Sequence, residues 1–188
     1  MKEPTWDECS ADELWRYVAW HLEDAGIHSV LVGGAVVSIY TEGLYVSGDL
    51  DIVTDGTARS KLEEVLKGIG FEPSRSRYYK HPQCKHLYLE FPPGPVEIGE
   101  EAPIDPHEIE VEGKTLRLLS PTDSVKDRLA GYIHFGSRPN FDQAVLICQR
   151  QEPRVNLNAV RKWCEREGHL PAFEELRDYL LRSQNGEV

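Results

Sequence analysis

Two aspartates separated by one residue, in Asp49-Leu50-Asp51, carry the clearest chemical signal in the chain. Side chains two apart on an extended strand point the same way, about 7 Å apart, so both carboxylates can share divalent ions. Leu50 and Ile52 alternate with them and would anchor the strand from its other face. Upstream, Ser29-Val30-Leu31-Val32 runs into Gly33-Gly34, a turn that lets the backbone come close to phosphates. The helix after it would offer free N–H groups to an anion. Downstream, His86-Leu87-Tyr88-Leu89-Glu90-Phe91 alternates again, so Glu90 shares a face with His86 and Tyr88. Each of these is ordinary by itself. Gly-Gly is common at strand-to-helix turns and an isolated D-x-D is usually a solvated strand edge, so the information lies in their order.

The positioning elements follow from periodicity. Ser10 and Glu13 have the capping-box pattern, and Leu14, Tyr17, Val18, His21, Leu22 and Ala25 recur at helical spacing, which predicts a helix over 11–25. Strands are expected at 29–32, 49–53 and 86–91, helices at 35–45 and 58–69, and a hairpin at 109–118. The stretch 75–86 reads as irregular and 92–106 as a long connection. Ser120-Pro121-Thr122-Asp123 opens a helix with a cap, a proline at the first position and an acid in the first turn. Helices over about 121–133, 140–151, 156–167 and 171–183 fill the rest by the same periodicity. The expected organisation is an α/β or α+β unit over 1–119 and a helical region, packed on it, over 120–188.

The succession strand, Gly-Gly, helix, D-h-D strand, helix, later carboxylate strand resembles the signature of the polymerase-β-like nucleotidyltransferase superfamily. The resemblance implies an α+β fold, with a small mixed sheet flanked by helices, followed by a C-terminal helical region. It implies a third carboxylate from a later strand. Glu90 matches, and Glu97 in Val96-Glu97-Ile98 is the rival, disfavoured by the prolines and the glycine before it. On this basis Asp49, Asp51 and Glu90 are the catalytic and metal-binding residues for Mg²⁺ or Mn²⁺. Gly33, Gly34, Ser47, Arg77, Lys80, Asp123 and Arg128 are the expected nucleotide contacts. The implied reaction moves a nucleoside monophosphate from an NTP to an acceptor hydroxyl, on an RNA or tRNA end or a protein side chain, and releases pyrophosphate. Two metal ions would divide the work, one activating the hydroxyl and one holding the triphosphate.

The helical region resembles, more loosely, the nucleotidyltransferases of abortive-infection and type IV toxin-antitoxin systems. These carry D-x4-K on a helix, where Asp123 to Arg128 gives D-x4-R here, and Arg138 to Asp142 could supply their later acid. Guanidinium grips phosphate bidentately where ammonium acts as a point charge. That branch implies a toxin with a cognate antitoxin. The competing readings are a capping acid for Asp123, a solvated helix face for Lys126 and Arg128, and, for the whole chain, a catalytically degenerate module that holds nucleotide or a partner.

Composition limits the rest. In 188 residues, 21 Lys+Arg against 32 Asp+Glu give a net charge of −11, which argues against a broad non-specific grip on nucleic acid. The segment from Arg75 to His86 is nonetheless free of acids and holds Arg75, Arg77, Lys80 and Lys85 among tyrosines, a mixture suited to triphosphate, a base or an RNA end. Its plainer reading is a solvated loop. No apolar run approaches the roughly 20 residues of a membrane span, and the acidic start is unlike a signal peptide, so the expectation is a cytoplasmic protein without membrane contact. Cys9, Cys84, Cys148 and Cys164 show no C-x-x-C and read as reduced thiols, outside any zinc or redox motif. His107, His134 and His169 have no metal-ligand spacing and read as structural. P-loop, G-x-S-x-G and dinucleotide G-x-G-x-x-G patterns are absent.

Overall fold

The computed structural model describes residues 1–54, 56, 58–74 and 77–186. The chain divides into two compact units, one made of Met1–Val96 and Asp105–Leu119, the other of Glu97–Ile104 and Ser120–Val188. The first is an α+β unit built on a mixed seven-stranded sheet. Its elements are α1 (Ala11–Asp24), β1 (Ser29–Val32), α2 (Gly33–Tyr40), β2 (Asp49–Thr54), α3 (Arg59–Gly68), β3 (Glu72–Pro73), β4 (Tyr78–His81), β5 (Cys84–Glu90), β6 (His107–Val111) and β7 (Lys114–Leu118). The strand order is β3-β4-β5-β2-β1-β7-β6. β1 and β2 run antiparallel, while β2 pairs β5, and β1 pairs β7, in parallel.

The elements form for local reasons that the side chains make visible. At α1 the capping box closes in both directions: the Glu13 N–H donates to Ser10 Oγ at 3.2 Å, and the Ser10 N–H donates to the Glu13 carboxylate at 2.8 Å. Leu14, Val18 and Leu22 then bury one stripe of the helix, which lies against β7, β1 and α2. The central strands are apolar toward the core, with Leu31, Leu50, Ile52 and Leu89 fully buried. Each such side chain contributes on the order of 1.5–3 kcal/mol by leaving water.

Three local expectations change. The stretch expected to be irregular holds β4 and the start of β5, because Tyr79 is buried against Phe91, with ring centroids 5.5 Å apart, and pairs Leu89 across the ladder. Aromatic side chains packed on a neighbouring strand favour the extended state, and Pro82-Gln83 make the turn between the two strands. The helix expected over 35–45 begins earlier, at Gly33, and ends at Tyr40, whose hydroxyl donates to the Leu119 carbonyl at 2.7 Å. Residues 97–104, grouped with the first unit by sequence, belong to the second.

The second unit comprises that segment with α4 (Pro121–Phe135), α5 (Arg138–Arg150), α6 (Leu157–Arg166) and α7 (Leu170–Gln184). Buried Trp163 donates from Nε1 to the Ile98 carbonyl at 3.1 Å, and the Glu100 N–H donates to Glu167 at 2.8 Å, which ties 97–104 to α6 and the residue that caps it. The Ser120 cap is formed as the sequence suggests, accepting from the Asp123 N–H at 3.1 Å. Among the described residues no helix is long and apolar enough to cross a membrane.

Candidate active site

Sheet register assembles the acidic residues. Val32, the last residue of β1, pairs with Asp51, and Asp51 pairs on its other side with Glu90 of β5, while Asp49 pairs with Tyr88. Directly paired residues share a face. Asp49, Asp51 and Glu90 therefore converge, with one carboxylate oxygen from each lying within 4.8 Å of the others. Two oxygens on one Mg²⁺ are at most about 4.2 Å apart, so small side-chain rotations suffice for a shared ion. An all-carboxylate set of hard oxygens suits Mg²⁺ or Mn²⁺ in donor chemistry as well as in size. Glu90, rather than Glu97, completes the trio.

The two glycines are explained by what lies above them. Gly33 turns the chain from β1 into α2 with φ +73°, and a Cβ there would stand 2.4 Å from Asp51 Oδ2. The turn is thus shaped around the carboxylate. At Gly34 a Cβ would meet Ser47 Oγ at 2.8 Å. Ser47 in turn donates from Oγ to Asp49 Oδ1 at 3.0 Å, which fixes the orientation of that carboxylate. The N-cap of α2 is Val32, which has no side chain able to satisfy the first N–H groups, so the helix presents an uncapped N-terminus one residue from Asp51's partner.

Cations of the acid-free segment lie beside the trio. Arg77 Nε is 2.6 Å from Glu90 Oε1, although the arginine is largely exposed and Glu90 is buried. Contact with the Tyr78 side chain and then the Glu90 charge hold its guanidinium above its usual range, so it is a permanent positive charge. Lys80 lies with its Nζ 5.3 Å from the centre of the Tyr88 ring, and Tyr78 packs edge-on to Tyr88 at 5.0 Å. Cross-strand pairing of Tyr78 with Glu90 puts these rings and Lys80 on the face of the carboxylates. Lys85 is exposed and makes no ion pair among the described residues. Arg75 lies outside the described residues. The tyrosines were legible as aromatics in a basic stretch, but their place in the site needed the register.

With this geometry in hand, solved structures supply the comparison. An antigenic nucleotidyltransferase-like protein from Paracoccidioides brasiliensis is similar over 88% of this chain and 92% of its own, with 16% identity and a TM-score of 0.57. The chain has a nucleotidyltransferase-like fold. The solution structure of the antibiotic-resistance factor ANT(2'')-Ia is similar over 91% of this chain and 95% of its own, at 14% identity and a TM-score of 0.53. A crystal structure of ANT(2'')-Ia with adenylyl-2''-tobramycin gives 15% identity and a TM-score of 0.50, covering 86% and 95% of the two chains. No family model and no curated protein matches the sequence.

Asp123 and Arg128, the remaining expected nucleotide contacts, belong to the second unit and have partners within it. Asp123 accepts from Ser120 Oγ at 2.6 Å and from Lys126 Nζ at 2.9 Å. Lys126 is buried between Asp123 and Glu101, its Nζ 3.2 Å from the latter, so the solvated-face reading fails for it. Arg128 bonds Asp127 and reaches Gln143 at 3.2 Å and Asn140 at 3.4 Å.

Proposed function

We propose that the protein is a metal-dependent nucleotidyltransferase, moving a nucleoside monophosphate from an NTP to an acceptor hydroxyl with release of pyrophosphate. The observation that carries this is the convergence of Asp49, Asp51 and Glu90 on adjacent strands beneath an uncapped helix N-terminus, in a nucleotidyltransferase-like fold. Asp49, Asp51 and Glu90 are the residues that would hold Mg²⁺ or Mn²⁺. When bound, such ions neutralise the triphosphate and lower the pKa of an attacking hydroxyl.

The chain's own groups do the rest. Ser47 keeps Asp49 oriented, Gly33 and Gly34 leave room for the carboxylates and for phosphate, and the first N–H groups of α2 are free to donate to an anion. Arg77 and Lys80 reverse the local field that three carboxylates would otherwise present to a nucleotide. Tyr78 and Tyr88, packed edge to face beside these cations, add aromatic surface suited to a base. Acceptors of three kinds fit the chemistry: an RNA or tRNA end, a protein hydroxyl, and an antibiotic such as the tobramycin named in the ANT(2'')-Ia complex. The role of toxin with a cognate antitoxin rests on the D-x4-R pattern of residues 123–128.

The test is incubation with each labelled NTP, Mg²⁺ or Mn²⁺, and total RNA, cell protein or tobramycin. Label transfer with pyrophosphate release, abolished in D51N while that variant stays folded, is the expected result. Failure of every NTP to bind or react in the presence of either ion would overturn the proposal.

A further inference from the structure

Cys9 and Cys84 stand 75 positions apart in sequence, yet their sulfurs lie 3.9 Å apart in the first unit. Sequence spacing gives no hint of this meeting, which comes from the segment before α1 crossing the start of β5. His86, two residues along β5, completes the group. Its Nδ1 is 3.9 Å from Cys84 Sγ, and its Nε2 is 2.9 Å from the Cys9 carbonyl oxygen. A carbonyl only accepts, so in the neutral ring Nε2 carries the proton and Nδ1 turns a bare lone pair toward the sulfur. Metal-ligating histidines are held in this way, the second ring nitrogen donating to a backbone carbonyl or carboxylate.

We infer that Cys9, Cys84 and His86 form a Zn²⁺ site that ties the segment before α1 to β5, separate from the carboxylate trio at the other end of that strand. One ligand atom from each residue lies within 4.8 Å of the others. On a tetrahedral Zn²⁺, with Zn–S about 2.3 Å and Zn–N about 2.0–2.1 Å, two sulfurs sit about 3.8 Å apart and sulfur and nitrogen about 3.5 Å apart. The Cys9–Cys84 and Cys84–His86 separations, both 3.9 Å, match such edges to within about 0.4 Å, and the third edge closes by rotation of the exposed His86 ring. A disulfide would instead need the sulfurs to close by about 1.9 Å, and it would leave His86 Nδ1 without a role. In the metal-free protein the two thiols face the carbonyls of Trp6 and Leu87, at 3.7 and 3.8 Å. Binding converts two thiols to thiolates, releases two protons and leaves the fourth position to water. Nitrogen and sulfur donors select Zn²⁺, whereas the carboxylates select Mg²⁺ or Mn²⁺, so the two sites are chemically distinguishable.

The experiment is a Co²⁺ titration, as a spectroscopic probe for Zn²⁺, of reduced protein in a C148S/C164S background. The expected result is a one-equivalent thiolate-to-cobalt charge-transfer band with tetrahedral d–d bands, bleached by Zn²⁺. It should be retained in D51N, lost in C84S, and weakened in H86N by at least about 10-fold in affinity. Absence of the band in reduced protein, its survival in C84S, or unchanged affinity in H86N would overturn the assignment. So would a Cys9–Cys84 disulfide found by mass mapping in protein that gives no band after reduction. His86 is exposed, so H86N keeps the test decisive should C84S unfold.

Discussion

Gly33→Ala tests the relation between the turn and the carboxylate site most sharply. The new Cβ would stand 2.4 Å from Asp51 Oδ2, and ordinary contact begins at 3.4 Å, so the carboxylate must move by about 1.0 Å. The backbone adds strain, because φ at Gly33 is +73° and a left-handed conformation costs an L-residue about 1–2 kcal/mol. At about 2–4 °C per kcal/mol for a chain of this size, Tm should fall by about 2–8 °C. Displacing a ligand by this distance should weaken Mn²⁺ binding about 10–100-fold, as loss of a ligand's supporting contact does. Gly34→Ala is the milder comparison. Its Cβ meets Ser47 Oγ at 2.8 Å, Tyr45 OH at 3.3 Å and Ser47 Cβ at 3.5 Å, so it disturbs the hydroxyl that orients Asp49 rather than a carboxylate itself; its φ is not left-handed, and alanine is the better helix former by about 1 kcal/mol. Calorimetric Mn²⁺ titration against a D51N baseline, together with thermal melts, reads both effects. Mn²⁺ is the suitable probe because it disfavours thiolate and imidazole sites. Wild-type Mn²⁺ affinity in G33A, or greater damage in G34A, would refute the reasoning.

Arg77→Ala removes the cation 2.6 Å from Glu90, so Mn²⁺ affinity should rise while NTP affinity falls; a loss of both would show that Arg77 holds the site together instead. Ser120→Ala deletes the α4 cap, which accepts from the Asp123 N–H at 3.1 Å, and should cost about 0.5–2 kcal/mol in denaturant unfolding of the second unit. Burial pushes the Cys148 thiol up to about 12 and the Cys164 thiol up to about 11, from an ordinary 9.0. Both are raised, so their contribution to stability is fully present below pH 9 and is lost as pH climbs toward those values. Wild type should therefore lose Tm more steeply above pH 9 than C148S/C164S, and parallel curves would rule the cysteines out as the cause.

What the sequence by itself determined is local or periodic. Ser10 with Glu13, and Ser120 with Pro121, mark helix starts because a cap is made by residues three apart. The alternation around Asp49 and Asp51, and around Glu90, puts the carboxylates opposite a buried apolar face because a strand repeats every two residues. The order of Gly-Gly, D-h-D and a later carboxylate strand suffices to suggest the α+β fold. Other features depend on register. Nothing in the spacing says that β5 lies beside β2, with Glu90 level with Asp51, since a parallel neighbour is chosen by packing of the whole sheet. Nor does it say that Arg77 reaches Glu90, or that Tyr79 makes a strand of the basic stretch. The separation of residues 97–104 from the first unit turns on Trp163, which buries its ring and finds a carbonyl there. Cys9, Cys84 and His86 meet for the same reason: contacts between distant segments are fixed by which surfaces must leave water together, and linear spacing carries no record of that choice.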